Sequence, residues 1–133
     1  INMNILFVCK HNRFRSKVAE AVFKKLNKNK SLNAKSAGIS LDLLRPHIAE
    51  NIKKVLFNKG IKNLDEISRQ INKFDVKWAD KIIIVSNNID VDTFPKQKTI
   101  VWKIPDADEQ DFSKIKKIVS DIEKKVKLFI KLI

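Results

Sequence analysis

The chain has 133 residues, 28 of them Lys or Arg and 15 Asp or Glu, for a formal charge of +13 with 44% apolar residues. That length suits one domain, 1–133, burying roughly two thirds of its unfolded surface, which excludes wholesale disorder. The longest apolar run, Ile5 to Cys9, is too short to cross a bilayer, no secretory leader is expected, and the single cysteine, Cys9, excludes an internal disulfide or a multi-thiolate zinc site.

Ile5-Leu6-Phe7-Val8 is a continuous apolar run, the pattern of a parallel strand covered on both faces. After it, Val18, Ala19, Val22, Phe23 and Leu26 share one helical face. Lys35-Ser36-Ala37 is a candidate for a second strand. Ile48, Ile52, Val55 and Leu56 mark another helix, with Pro46 suited to its first turn and Gly60 to its end. Ile82-Ile83-Ile84-Val85 and Ile100-Val101-Trp102 repeat the strand pattern. From Asp111 onward, Phe112, Ile115, Val119, Ile122, Val126, Phe129 and Ile133 hold the stripe of a terminal helix, with Lys opposite.

Strands alternating with helices predict an α/β fold, with right-handed crossovers and a parallel sheet carrying helices on both sides. Such a sheet binds ligands at the carboxyl ends of its strands. The residues placed there are 9–15, 36–40, 86–88 and 104–111. The positive charge predicts anionic partners. Nucleic acid is the less favoured of these, because no interleaved surface aromatics or recognition motif accompany the charge.

Cys9 ends the first strand, and Arg15 and Ser16 begin the first helix. A thiol facing a helix N-terminus and an arginine is favoured as thiolate. The residues from Cys9 to Phe14 can curl so that their N–H groups converge on one tetrahedral oxyanion, with the Arg15 fork as a further donor. That describes a phosphate cradle, formed by Lys10, His11, Asn12, Arg13, Phe14, Arg15 and Ser16, with a nucleophile at its floor. The alternative is that Cys9 is a small buried hydrophobe, and C-x5-R alone matches many sequences. Ser16 either donates to the sulfur or serves the helix's first turn. A thiolate attacking phosphorus also needs an acid for the departing oxygen. Asp106, after Ile104-Pro105, lies at the same sheet edge, and its alternative role is a turn or cap. Asp111 reads as the helix cap, and Asp108 and Glu109 as solvated loop.

Leu6-Phe7-Val8-Cys9, Asn12, Arg15-Ser16 and Ala19-Glu20-Ala21-Val22-Phe23 together resemble the opening of the low-molecular-weight protein tyrosine phosphatases. Ser36-Ala37-Gly38, Ser68-Arg69-Gln70-Ile71, Ala79-Asp80 and Ile104-Pro105-Asp106 continue the resemblance in order over nearly the whole chain. It implies a three-layer α/β/α sandwich on a four-stranded parallel sheet, doubly wound in the flavodoxin-like way. It also implies a phosphomonoester hydrolase in which Cys9 forms a phosphocysteine, Arg15 clamps the equatorial oxygens, and Asp106 protonates the leaving group and then activates water. Asn12, supported by Ser36 and Ser16, would hold the loop. No metal or organic cofactor is implied, since Arg15 and the loop amides supply the charge stabilisation. The expected partners are a phosphorylated protein or small aryl phosphate, with inorganic phosphate as product, for a cytoplasmic monomer that does not engage membranes.

Several positions depart from the family pattern. His11 stands where Gly is usual, and a demand for positive φ there would strain the loop. Phe14 replaces a second loop cysteine, which leaves Cys9 without a resolving partner against over-oxidation. Ala107, Asp108 and Glu109 replace the proline and the aromatics usual in the acid loop, and Lys10, His11 and Arg13 make the mouth basic. The rival reading is a catalytically weakened phosphate- or polyanion-binding domain. The related arsenate reductases need further cysteines to pass electrons, so a single Cys disfavours that chemistry.

Overall fold

β-branched and aromatic residues dominate the apolar runs, and in the computed structural model, which describes residues 2–133, each run is a strand. The strands are β1 (Met3–Cys9), β2 (Leu32–Gly38), which holds the Lys35-Ser36-Ala37 candidate rather than an apolar run, β3 (Lys81–Val85) and β4 (Thr99–Trp102). All pair in parallel, in the order β2-β1-β3-β4. The four-stranded doubly wound α/β fold expected from the sequence is the one found. Its direction of winding reverses between β1 and β3, and that crevice, at the carboxyl end of β1, is where such sheets take ligands.

Alternation along the strands fills two cores. Ile5, Phe7, Ile83 and Val85 face α1 (Arg15–Leu26), α2 (Glu50–Asn58) and α4 (Phe112–Leu132). Leu6, Val8, Ile82 and Ile84 face the other way, toward Val76 and Trp78 of α3 (Lys73–Trp78) and toward Phe94, between two short 3-10 turns. The layers are therefore unequal. Phe7, Phe23, Trp102 and Phe129 form a ring cluster with centroid separations of 5.9 to 6.5 Å, which ties β1 and β4 to α1 and α4.

Three expectations shift. Helix α2 starts at Glu50, so Pro46 and Ile48 precede it. The 46–48 stretch is instead held extended against 66–68 by Ile48 N–H to Glu66 O and Ser68 N–H to Pro46 O. Gly60 does end that region, at φ +81°. In α4 the buried stripe is Ile115, Ile118, Val119, Ile122, Val126 and Phe129, whereas Phe112 and Ile133 at its ends are about 40% exposed. The sequence reading had no counterpart for α3, which is six residues long and starts with a reciprocal Asn72/Asp75 capping box.

Candidate active site

Cys9 is the last residue of β1 and Arg15 the first of α1, so the connecting turn lies over the helix N-terminus. Helix α1 has no side-chain cap and no acid in its first turn, which leaves its amide donors and the positive end of its dipole directed at that turn. Cys9, His11, Arg13, Phe14 and Arg15 line a cleft of about 470 Å³, together with Arg45, Ala49, Ile52 and residues 106–110. Asp106 thus shares one cavity with Cys9 and Arg15. Lys10 lies outside its wall, and Asn12, Ser16 and Ser36 lie behind the loop.

Arg15 is 2% exposed and is held by the ends of two other strands. One terminal nitrogen donates to Ser86 Oγ after β3 and to the Ile104 carbonyl after β4, both at 3.0 Å. The other lies 3.5 Å from Asn88 Oδ1 and 3.8 Å from the exposed carboxylate of Asp106. Its Nε is the one buried side-chain polar atom among the described residues without a partner. A buried guanidinium with an idle donor and one solvated counter-charge is suited to an anion. Ser86 and Asn88, which aim this arginine, lay in a loop the sequence placed at the sheet edge without a role.

The loop backbone is fixed from behind. Asn12, at φ +54°, is the only described non-glycine residue with positive φ, so the expected strain at His11 is absent and falls on a residue type that tolerates it. Asn12 Oδ1 accepts from the Arg69 backbone N–H at 2.9 Å, and its carbonyl accepts from Ser68 Oγ. Its Nδ2 donates to Ser16 Oγ at 2.7 Å and to Ser36 Oγ at 3.0 Å, and Ser16 Oγ is 2.9 Å from Cys9 Sγ. His11 is exposed, with Nδ1 2.6 Å from the Ser40 carbonyl oxygen. Asp111 caps α4 by accepting from the Lys114 N–H.

β2 must come close to this loop, and Gly38 permits it. A Cβ there would lie 2.8 Å from the carbonyl carbon of His11 and 2.9 Å from the nitrogen of Asn12. Gly38→Ala is expected to cost about 1–3 kcal/mol through this overlap. It would be read as a lower urea midpoint with unchanged slope.

The mouth is less basic than the sequence suggested. Arg13 is 8% exposed, with Nε donating to the His47 carbonyl and one terminal nitrogen paired with Glu109. Burial pushes the Arg13 guanidinium below its ordinary value; the like charge of Arg45 adds to this, while Asp42 and Asp106 oppose it. Glu109 also meets Arg45 at 3.3 Å, and its carbonyl accepts from Asn51 Nδ2. Glu109 is therefore a bridge from the acid loop to two others rather than solvated loop. The described residues include no group of three or more His, Cys, Asp or Glu arranged for a metal, and no helix long and apolar enough to cross a membrane.

A family model described as "Low molecular weight phosphotyrosine protein phosphatase" matches residues 4–133. No curated protein sequence matches. Among solved structures, a low molecular weight protein tyrosine phosphatase from T. tengcongensis superposes with a TM-score of 0.87 at 23% identity, over 99% of this chain and all of the other. The YwlE arginine phosphatase from Geobacillus stearothermophilus gives 0.81 at 25% identity over 97% and 91%. An arsenate reductase from Archaeoglobus fulgidus gives 0.77 at 28% over 96% and 98%.

Proposed function

This chain belongs to the low molecular weight phosphotyrosine protein phosphatase family, and from that premise we propose that it hydrolyses phosphomonoesters through a phosphocysteine on Cys9. The Cys9 thiolate attacks phosphorus, the phosphorus–oxygen bond to the leaving group breaks, and Asp106 gives that oxygen its proton. Water then attacks the phosphocysteine and yields its proton to Asp106; the phosphorus–sulfur bond breaks, and phosphate and the thiolate are released. Throughout, the Arg15 fork and the amides of the loop and of the α1 N-terminus hold the equatorial oxygens, where charge develops. No metal is needed for that stabilisation.

The observation that carries this reading is the buried Arg15 with its idle Nε, in one cleft with the chain's only thiol and with Asp106. His11 has no positive φ, which removes one of the two grounds for a weakened, binding-only domain; the altered acid loop is the other. Passing electrons to arsenate within this chain would need a second cysteine, which the sequence lacks. A lone nucleophilic thiol also suits a reducing, cytoplasmic compartment.

A second reading concerns the leaving group. Among Phe, Tyr and Trp only Phe14 lines the cleft, with His11 as the other ring, and the acid loop contributes Asp106 and Asp108 rather than an aromatic to flank a phenyl group. A cationic leaving group, such as the guanidinium of phosphoarginine, meets these carboxylates better than a phenol does. Purified protein assayed on a small aryl phosphate and on a phosphoarginine peptide separates the two, and failure to release phosphate from either would reject the function.

In the same assay, Asp106→Asn is expected to lower kcat on the aryl phosphate by about 10²–10⁴. Competitive inhibition by inorganic phosphate should change by less than about threefold, because Asp106 does not carry the anion site.

A further inference from the structure

Between β4 and α4 the acid loop has no regular secondary structure, and its internal hydrogen bonds are local. Ile104 N–H donates to the Trp102 carbonyl and Asp111 N–H to the Asp108 carbonyl, while the Ala107 and Gln110 N–H groups donate to the Asp106 and Asp108 side chains. Its polar contacts with the rest of the molecule are few. Arg15 takes the Ile104 carbonyl and faces Asp106, and all the others among the described residues belong to Glu109. We propose that Glu109 is a positioning residue for Asp106, the latch that fixes the far end of the acid loop to the phosphate loop and to the mouth of the cleft. This role rests on the phosphocysteine reading, in which Asp106 is the acid.

The latch has three arms. Glu109 Oε1 pairs with a terminal nitrogen of Arg13, its Oε2 lies 3.3 Å from a terminal nitrogen of Arg45, and its carbonyl accepts from Asn51 Nδ2 at 2.6 Å. These partners sit on separate segments: the phosphate loop, the 41–45 turn and α2. The arms are unequal. Arg45 is exposed and also held by Asp42 at 2.9 Å, so its pair with Glu109 contributes little by itself. Arg13 is buried with its Nε fixed on the His47 carbonyl, and its guanidinium offers the carboxylate a stationary, weakly hydrated partner.

Asp106 needs such support. Its side chain is exposed and meets the rest of the molecule only through the long contact with Arg15. Apolar anchoring of the loop stops at Ile104, apart from the Ala107 methyl at the edge of the core. Glu109 lies three positions beyond Asp106 and therefore limits how far that carboxyl group swings from the leaving oxygen. A misplacement of about 1 Å at a reacting group costs about 10²-fold in rate.

Proton donation has a signature that a general loss of structure lacks. A strongly acidic phenol departs without a proton, so kcat/KM on dinitrophenyl phosphate should depend little on Asp106, whereas kcat/KM on phenyl phosphate should depend on it fully. Glu109→Gln keeps the size of the side chain and removes its charge. The expected result is a loss of about 3–30-fold in kcat/KM on phenyl phosphate and of less than about twofold on dinitrophenyl phosphate, with inhibition by inorganic phosphate no weaker than before. Asp106→Asn should show the same pattern more strongly. Adding Glu109→Gln to it should cost less than about twofold more, because the latch acts only through Asp106. Equal losses on the two substrates, losses below about twofold on both, or full additivity with Asp106→Asn would overturn the proposal. Should Glu109→Gln fail to fold, Glu109→Asp, with the charge kept but withdrawn by one methylene, should lose about 2–5-fold on phenyl phosphate alone, and an unchanged ratio of the two substrates would overturn it. Unaltered protein that hydrolyses neither substrate sinks the phosphatase reading and the latch with it, whereas turnover with unchanged selectivity in the Glu109 variants sinks the latch alone.

Discussion

Cys9→Ser is expected to lower kcat on a small aryl phosphate by about 10⁴-fold or more, the scale of removing a nucleophile from an otherwise intact site. The substitution exchanges one atom in a 2%-exposed position, so folding should be preserved. The remaining serine is a poor substitute, because a hydroxyl needs a base to activate it. Asp106, 3.8 Å from Arg15 in the same cleft, is committed to the leaving group in the proposed mechanism. Inorganic phosphate should still compete with substrate binding, since Arg15 and the loop amides are untouched. Turnover within about tenfold of the unaltered protein would mean that another group attacks phosphorus.

Arg15→Lys is the second large effect, and its signature differs. A lysine keeps the charge but loses the planar fork, and with it both the pair of donors offered to the oxyanion and the bonds to Ser86 and Ile104. The expected loss in kcat/KM is about 10²–10³, the scale of removing a preorganised oxyanion donor. Phosphate inhibition should weaken in parallel, in contrast to Asp106→Asn. The Ile104 carbonyl, left without its donor, should also cost about 1–3 kcal/mol of stability, whereas Ser86 Oγ keeps its bonds with Asn88. A variant that binds phosphate as well as the unaltered protein would assign the anion site to the loop amides alone.

The parts of this site visible in the sequence are those set by local pattern. Ile5–Val8 and Ile82–Val85 announce themselves because strands buried on both faces are continuously apolar, while Ile100–Trp102 shows the same run although β4 is an edge strand that leaves Val101 exposed. Strand β2 was harder to read, since its first half is half-exposed and only Lys35-Ser36-Ala37 suggested it. The C-x5-R spacing between strand and helix places Cys9 and Arg15 at one edge, and Pro105-Asp106 follows from the end of β4. What the sequence left open depends on partners far along the chain. Pro46 looked like a helix start, yet its carbonyl bonds to Ser68 and the helix begins four residues later. Glu109 looked solvated until Arg13 and Arg45 were brought to it. His11 appeared to be the strained position, but the positive φ belongs to Asn12, whose side chain and carbonyl are fixed by Ser36, Ser68 and Arg69. A short helix such as α3 leaves no periodic trace, and only its Asn72/Asp75 caps were there to find.

All of this chemistry requires the phosphoryl group to pass through sulfur at the floor of the cleft. The direct measurement is to quench the protein during turnover of an isotopically labelled aryl phosphate and locate the label by peptide mass spectrometry. The phosphoryl group should be found on the peptide containing Cys9 and attached to that residue, with more of it trapped in Asp106→Asn when an activated substrate with a good leaving group is used. Steady hydrolysis with no phosphoryl group on Cys9 at any quench time, or with the label on another side chain, would contradict the account.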